Sequence, residues 1–232
     1  MRYMGSKAKY AKHIMPILMD CHDPSMPYVE PFAGGGNMIS SCPAPIRWGN
    51  DTAKYAVALL SALGNGWVPP SEMDEETYQQ IKAKPDLFHP ALVGFAMYSC
   101  SYAGKAWGGY ARGNDAKGNP RNFAAEQARH LLKQAVGLRG VIWSTKSYSD
   151  LDIPEGSTIY CDPPYRGTTG YRGAFDHDFF WSWCKNKAKT CRVFVSEYEG
   201  DGDVVWQKTV TNSLTKDTGA KTGTERLFRV HP

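Results

Sequence analysis

Pro27-Tyr28-Val29-Glu30-Pro31-Phe32-Ala33-Gly34-Gly35-Gly36-Asn37-Met38-Ile39 reads as a short strand, Tyr28 to Glu30, running into three successive glycines and then a helix start. Glycine lets backbone N–H groups approach a ligand closely, and a helix N-terminus favours partial negative charge. The dinucleotide fingerprint Gly-x-Gly-x-x-Gly is met at Gly34 and Gly36, but Ile39 stands where the third glycine belongs. That argues against a dinucleotide and leaves a smaller, nucleoside-like ligand. Ile46-Arg47-Trp48-Gly49-Asn50-Asp51 follows as a second short strand ending in an acid. In nucleotide-binding α/β folds an acid in this place accepts hydrogen bonds from ribose hydroxyls. Asp51 is also a candidate cap for a helix over Tyr55 to Leu63.

The second half repeats the pattern. Ser157 to Cys161 is an apolar run that reads as a buried strand, and it ends in Asp162-Pro163-Pro164-Tyr165. Two prolines remove two backbone donors and fix φ, so neither a ladder nor a helix continues there. What remains is a rigid corner with a carboxylate, bare carbonyls and an aromatic face. A flat base bearing an amine would stack on Tyr165 and give its N–H protons to Asp162 and a proline carbonyl. A plain surface turn is the competing reading, since Asp-Pro favours turns.

Ahead of both lies Arg2-Tyr3-Met4-Gly5-Ser6-Lys7, then an apolar stripe at helical spacing: Ala11, Ile14, Met15, Leu18 and Met19. Helices are expected within 71–96, with Met73, Tyr78 and Ile81 apolar, and over Phe123 to Leu138, with Gly140 beyond its end. Between them, residues 98–122 show no period. Tyr102, Trp107 and Tyr110 are interleaved there with Lys105, Arg112, Lys117 and Arg121 against a lone Asp115. Long unstructured loops are uncommon and often functional, and this mixture suits phosphates and unstacked bases. Strands follow at Val141 to Trp143 and Cys191 to Ser196, with a helix over Asp178 to Ala188 that turns Phe179, Phe180 and Trp183 inward. Two closing strands, Val204 to Trp206 and Arg226 to Val230, flank a polar loop over Asn212 to Gly223. The alternation predicts an α/β fold with a largely parallel sheet. Ligands of such folds sit beyond the carboxyl ends of the strands, where the Gly34 turn, Asp51, Ser147-Tyr148 and Asp162 converge.

The 232 residues suffice for one well-buried domain, and a net charge of +4 is compatible with a polyanion partner. Six scattered cysteines form no Cys-x-x-Cys pair, which fits reduced thiols in a cytosol and disfavours a zinc site. No apolar run approaches ~18 residues, so no membrane span is expected.

In their order along the chain, four elements resemble the Dam-type (alpha-group) DNA adenine-N6 methyltransferases: Arg2 to Lys7, Glu30 to Gly36, Asn50-Asp51, and Asp162 to Tyr165. The resemblance covers residues 1 to 60 and about 141 to 200. It implies a Rossmann-like sheet that uses S-adenosylmethionine, with antiparallel closing strands. The catalytic part would be 1–63 and 140–232, and 64–139 an inserted, mostly helical target-recognition region. It further implies methyl transfer to adenine N6 in a short sequence of double-stranded DNA, by base flipping. The cytoplasm of a prokaryotic or phage-infected cell is the expected place, with a monomer or weak dimer, no metal and no membrane. Asp162, Pro163, Pro164 and Tyr165 would be catalytic. Tyr3, Lys7, Glu30, Pro31, Phe32, Ala33, Gly34, Gly36, Asp51, Tyr148 and Asp162 would hold the cofactor, with Asp51 on its ribose and Tyr148 against its adenine. The family often has an acid where this chain has Ser147. DNA contacts are expected from Lys105, Trp107, Tyr110, Arg112, Arg121 and Tyr171. Alternatives are a cytosine-N4 or RNA-base methyltransferase, or an inactive nucleic-acid-binding member of the fold.

Overall fold

A computed structural model describes residues 1–166, 175–212 and 221–232. Strands β1 (Tyr28–Glu30), β2 (Arg47–Asn50), β3 (Ile142–Ser144), β4 (Thr158–Cys161), β5 (Arg192–Glu197), β6 (Asp203–Asn212) and β7 (Lys221–Val230) form a seven-stranded sheet in the order β3-β2-β1-β4-β5-β7-β6. The first five are mutually parallel, and β7 runs antiparallel to both β5 and β6. The helices are α1 (Ala11–Met19), α2 (Lys54–Gly64), α3 (Glu75–Ala83), α4 (Pro90–Gly94), α5 (Phe123–Leu138) and α6 (His177–Ala188).

The central strands β1, β4 and β5 are buried along nearly their whole length because both faces of the sheet are covered. Tyr28, Tyr160, Phe194 and Leu227 join one core cluster with α1 and α2, where Ile14, Leu18, Leu59 and Leu60 are fully buried. Their strand neighbours Val29, Ile159, Val193, Val195 and Val230 point the other way, onto Phe180, Trp183 and Cys184 of α6. This is the two-residue alternation of side chains along a strand. Tyr78, Ile81, Val93, Phe95, Leu131 and Leu138, all from 64–139, pack in the first cluster. Among the described residues no helix is long and apolar enough to cross a membrane.

The expected α1 and α5 are present at the expected places. Four expectations are corrected. After the glycines there is no α-helix, only a single 3-10 turn, Ile39–Ser41. Ser40 and Ser41 hydroxyls donate to the Asn37 carbonyl, and Pro43 and Pro45 follow at once, so the chain has no room to propagate a helix. Asp51 is not the cap of α2: Ala53 is, without a side-chain bond. Phe179 is 53% exposed, whereas Phe180 and Trp183 of the same helix are buried. The closing strands extend to ten residues each, because pairing between them continues after β5 has ended.

The 98–122 stretch also holds more order than its lack of period suggests. After a π-helical turn, Phe95–Ser99, an isolated bridge Ser101–Tyr110 closes over a 3-10 turn, Tyr102–Gly104, and a second bridge joins Asn114 to Pro120.

Candidate active site

β1 and β4 are neighbours, yet the chain leaves β1 towards β2 on the opposite side. A crevice opens at such a switch point, outside the carboxyl ends of the strands. The register pairs Val29 with Ile159, so the Glu30–Gly36 segment and the Asp162–Tyr165 corner emerge side by side.

Lys7, carried in from the N-terminal segment, stands over the corner. Its ammonium lies 3.0 Å from Asp162 Oδ1 and 3.5 Å from Glu225 Oε1, donates to the Gly5 carbonyl at 3.3 Å, and sits 4.4 Å from the centroid of the Tyr165 ring. The Tyr165 hydroxyl donates to Glu225, and Tyr198 meets the Tyr165 ring edge-on at 4.8 Å. The Asp162 side chain keeps 21% exposure, against 8% for Lys7 and 7% for Glu225, so of the three it is the one a substrate can reach. Burial pushes the Asp162 carboxyl up, with Lys7 pulling it back down, and the same two effects act on Glu225. Burial lowers the Lys7 ammonium, but the two carboxylates outweigh it and the net shift is upward. Glu30, buried beneath, accepts the Tyr28 hydroxyl at 2.7 Å, and burial raises it to about 8. Glu197 at the end of β5 accepts the N–H groups of Tyr198 and Arg166 at 2.8 and 3.3 Å, and burial raises it to about 7.

Across the crevice the glycine turn is held from several sides. Gly34 and Gly36 have φ of +50° and +64°, and a Cβ at Gly35 would stand 2.7 Å from Tyr3 Cβ. These are conformations and approaches that only glycine takes without strain. Asp51 accepts the Gly34 N–H at 2.8 Å through Oδ2 and the Ala53 N–H at 2.9 Å through Oδ1. Burial pushes its carboxyl up, and those two N–H groups oppose the shift. Gln134 of α5 donates to the Gly35 carbonyl at 2.9 Å. Phe32 packs against Tyr148 at 5.1 Å between ring centroids, and Trp183 meets Tyr148 edge-on at 5.2 Å. Tyr3 packs over the turn and against Tyr98 at 5.3 Å.

Three residues outside the expected set hold this rim. Asn50 donates to the Pro31 and Lys146 carbonyls, both at 3.0 Å, and accepts from the Ser144 hydroxyl and the Lys146 N–H at 2.7 and 2.9 Å. One amide thus ties together the loops after β1, β2 and β3. Glu197 fixes the first residue past the corner. Glu225 comes from far along the chain, and its sequence signal is a charged residue in step with buried Leu227 on one strand face.

The expected nucleic-acid contacts divide. Trp107 meets Tyr78 edge-on at 5.5 Å, and the Tyr110 hydroxyl donates to the Met73 carbonyl at 2.5 Å, so both are tied into the helical region. Lys105 is exposed, Arg112 pairs with Glu75 of α3, and Arg121 makes a two-pronged pair with Glu126 of α5. Tyr171 lies outside the described residues.

The sheet order, the glycine turn and the acid after β2 define the S-adenosylmethionine-dependent methyltransferase fold. Within it, residues 3–226 match the sequence profile of the D12 class N6 adenine-specific DNA methyltransferases, and the chain belongs to that family. It is an adenine-specific DNA methyltransferase with S-adenosylmethionine as methyl donor and DNA as substrate. No curated protein matches the chain. Solved structures similar to it include the rRNA methyltransferase aviRa from Streptomyces viridochromogenes, at 13% identity and a TM-score of 0.43, covering 98% of this chain and 86% of that one. Another is SMU.472, assigned as a methyltransferase and solved in complex with SAH, at 14% identity and a TM-score of 0.40, covering 97% of this chain and 52% of that one.

Proposed function

We propose that this enzyme modifies one short DNA sequence by turning the target adenine out of the helix and seating it between Tyr165 and the Asp162 carboxylate. The observation that carries this reading is the Lys7–Asp162–Tyr165 corner beside the glycine turn. An acceptor, a ring and the cofactor cradle meet at one switch point.

The cradle suits a nucleoside bearing a short cationic chain. A carboxylate offers about four lone-pair sites. Asp51 commits two to Gly34 and Ala53, leaving others for ribose hydroxyls. Tyr148 and Phe32 supply an apolar wall for an adenine ring. Phe32 to Gly36, with Tyr3 and Lys7 above, lies along the path of the remaining chain. S-adenosylmethionine, when bound, supplies a methyl group on a sulfonium that departs as a neutral thioether.

The residues then have one task, to make the N6 nitrogen a nucleophile and keep it in line. The lone pair of that amine is delocalised into the ring. Asp162 and the Pro163 carbonyl, accepting hydrogen bonds from the two N–H groups, favour a pyramidal nitrogen and stabilise the positive charge that develops on it. The methylated amine is acidic enough to release its proton afterwards, so Asp162 need not be a strong base. The prolines hold the acceptors rigid, which puts alignment into the fold rather than into each turnover. Extruding the base costs a few kcal/mol, and stacking on Tyr165 returns roughly 1–3 kcal/mol. The remainder is assigned to the 64–139 region, with Lys105, Arg112 and Arg121 as phosphate contacts and Trp107 and Tyr110 as the scaffold that presents them.

Base-resolved mapping of modified bases in DNA from cells expressing the chain tests this. N6-methyladenine at a single short motif is expected; modified cytosine, or adenine modified without regard to sequence, would refute it.

A further inference from the structure

Glu225 belongs to none of the four sequence elements, yet it meets two of them. The pairing of β7 with β5 runs as far as Arg226 opposite Glu197, so Glu225 is the first β7 residue beyond the end of β5, level with the corner. It shares its strand face with Leu227, which is fully buried, and is itself 5% exposed. A carboxylate in an apolar position is costly unless it is partnered. Its partners are the Tyr165 hydroxyl and the Lys7 ammonium, and both approach the same oxygen, Oε1.

We propose that Glu225 is a positioning residue for methyl transfer: it fixes the Tyr165 ring through its hydroxyl and gives Lys7 a second anchor, so that Asp162 is left able to accept the adenine amine. The proposal rests on Asp162 being the amine acceptor. The geometry divides the ammonium between two carboxylates and the Gly5 carbonyl, at 3.0, 3.5 and 3.3 Å, which uses its three donors. Without Glu225 the whole attraction of Lys7 falls on Asp162, and the ammonium competes with the incoming N–H groups for the same oxygens. The Tyr165 hydroxyl loses an acceptor at the same time, and the ring that must lie flat on the base loses that tether.

The test compares wild type, Glu225→Gln and Glu225→Ala on a duplex carrying the mapped site. Glutamine keeps the volume and an acceptor for Tyr165 but removes the charge that holds Lys7; alanine removes both. Expected are single-turnover rates down about 10-fold for the glutamine variant and about 100-fold for the alanine variant, the scale of one preorganised polar contact. KM for the cofactor should stay within about 3-fold in both variants, and KM for DNA should rise only in the alanine variant, where stacking on the everted base is weakened. In the alanine variant, 2-aminopurine at the target position should become brighter, as the ring no longer stacks squarely on the everted base. Wild-type rates in both variants would overturn the proposal while leaving the acceptor reading intact. So would rates that fall only in step with melting temperature and KM for the cofactor, which is the mark of a structural ion pair. No adenine methylation by the wild type on any duplex would overturn the acceptor reading, and this proposal with it.

Discussion

The corner above β4 and the 98–122 stretch both hold cations beside acids and aromatics, but the two environments give them different physics. At the corner, one ammonium serves two carboxylates with less than a tenth of the Lys7 and Glu225 side chains exposed. In the outer stretch, Arg112 is 70% exposed beside Glu75 at 42%. Exposed pairs contribute between zero and about 1 kcal/mol and are screened by salt. A buried pair is sensitive to removal of one partner, because the survivor stays behind without compensation. Charge at the corner is therefore held in a fixed arrangement, whereas in the outer stretch it remains free to exchange partners.

The sharpest way to break this contrast is Asp162→Ala. Methyl transfer should fall by about 10³-fold or more, the upper range for losing a preorganised polar group, while the fold is retained at a lowered melting temperature, since Lys7 keeps Glu225 as a partner. A tritium-transfer assay with near-normal turnover would remove Asp162 from the mechanism.

Lys7→Met should destabilise the fold by about 3–5 kcal/mol, the scale for orphaning a buried charge. The loss should grow as pH rises and shrink in acid, because burial holds both carboxyls above their ordinary range and each loses the opposing pull of Lys7. Urea melts at pH 5 and pH 8 separate the two cases.

Glu30 gives a pH signature of its own. Its folded value of about 8 lies above the ordinary 4.5, so the unfolded chain gives up this proton first. Its contribution to stability is complete below pH 4.5 and is lost as pH rises towards 8, at about 1.4 kcal/mol per unit. Glu30→Gln keeps an acceptor for Tyr28 and should flatten that part of the stability profile. An unchanged profile would mean Glu30 is ionised in the fold.

The smallest effects belong to the outer stretch. Lys105→Ala and Arg112→Ala should leave melting within about 0.5 kcal/mol of wild type. Each should flatten the dependence of log DNA affinity on log salt by about 0.9 for every phosphate no longer neutralised. An unchanged slope would remove these cations from the interface.

The two regions also differ in how readable they are. Tyr28 to Glu30, the glycines, Asp51 and the Asp-Pro-Pro-Tyr corner are legible because each depends on local chemistry: φ sign, missing donors, an acid at a strand end. The outer stretch reads as unstructured in the sequence because its order comes from partners elsewhere in the chain, such as Met73, Glu75 and Tyr78. The helix expected after Gly36 fails for a local reason that periodicity does not register, the serines bonding back to Asn37 ahead of two prolines.

What the sequence determined by itself is the α/β alternation, the two turns that face each other and the chemistry they carry, since backbone permissiveness and side-chain type are properties of single residues and near neighbours. What only the tertiary structure decided is the placing of Glu225 against Lys7 and Tyr165, of Asn50 between three loops, and of one ammonium between two acids. Those depend on strand order and on where β5 stops pairing with β7, and residues far apart along the chain carry no local mark of their meeting.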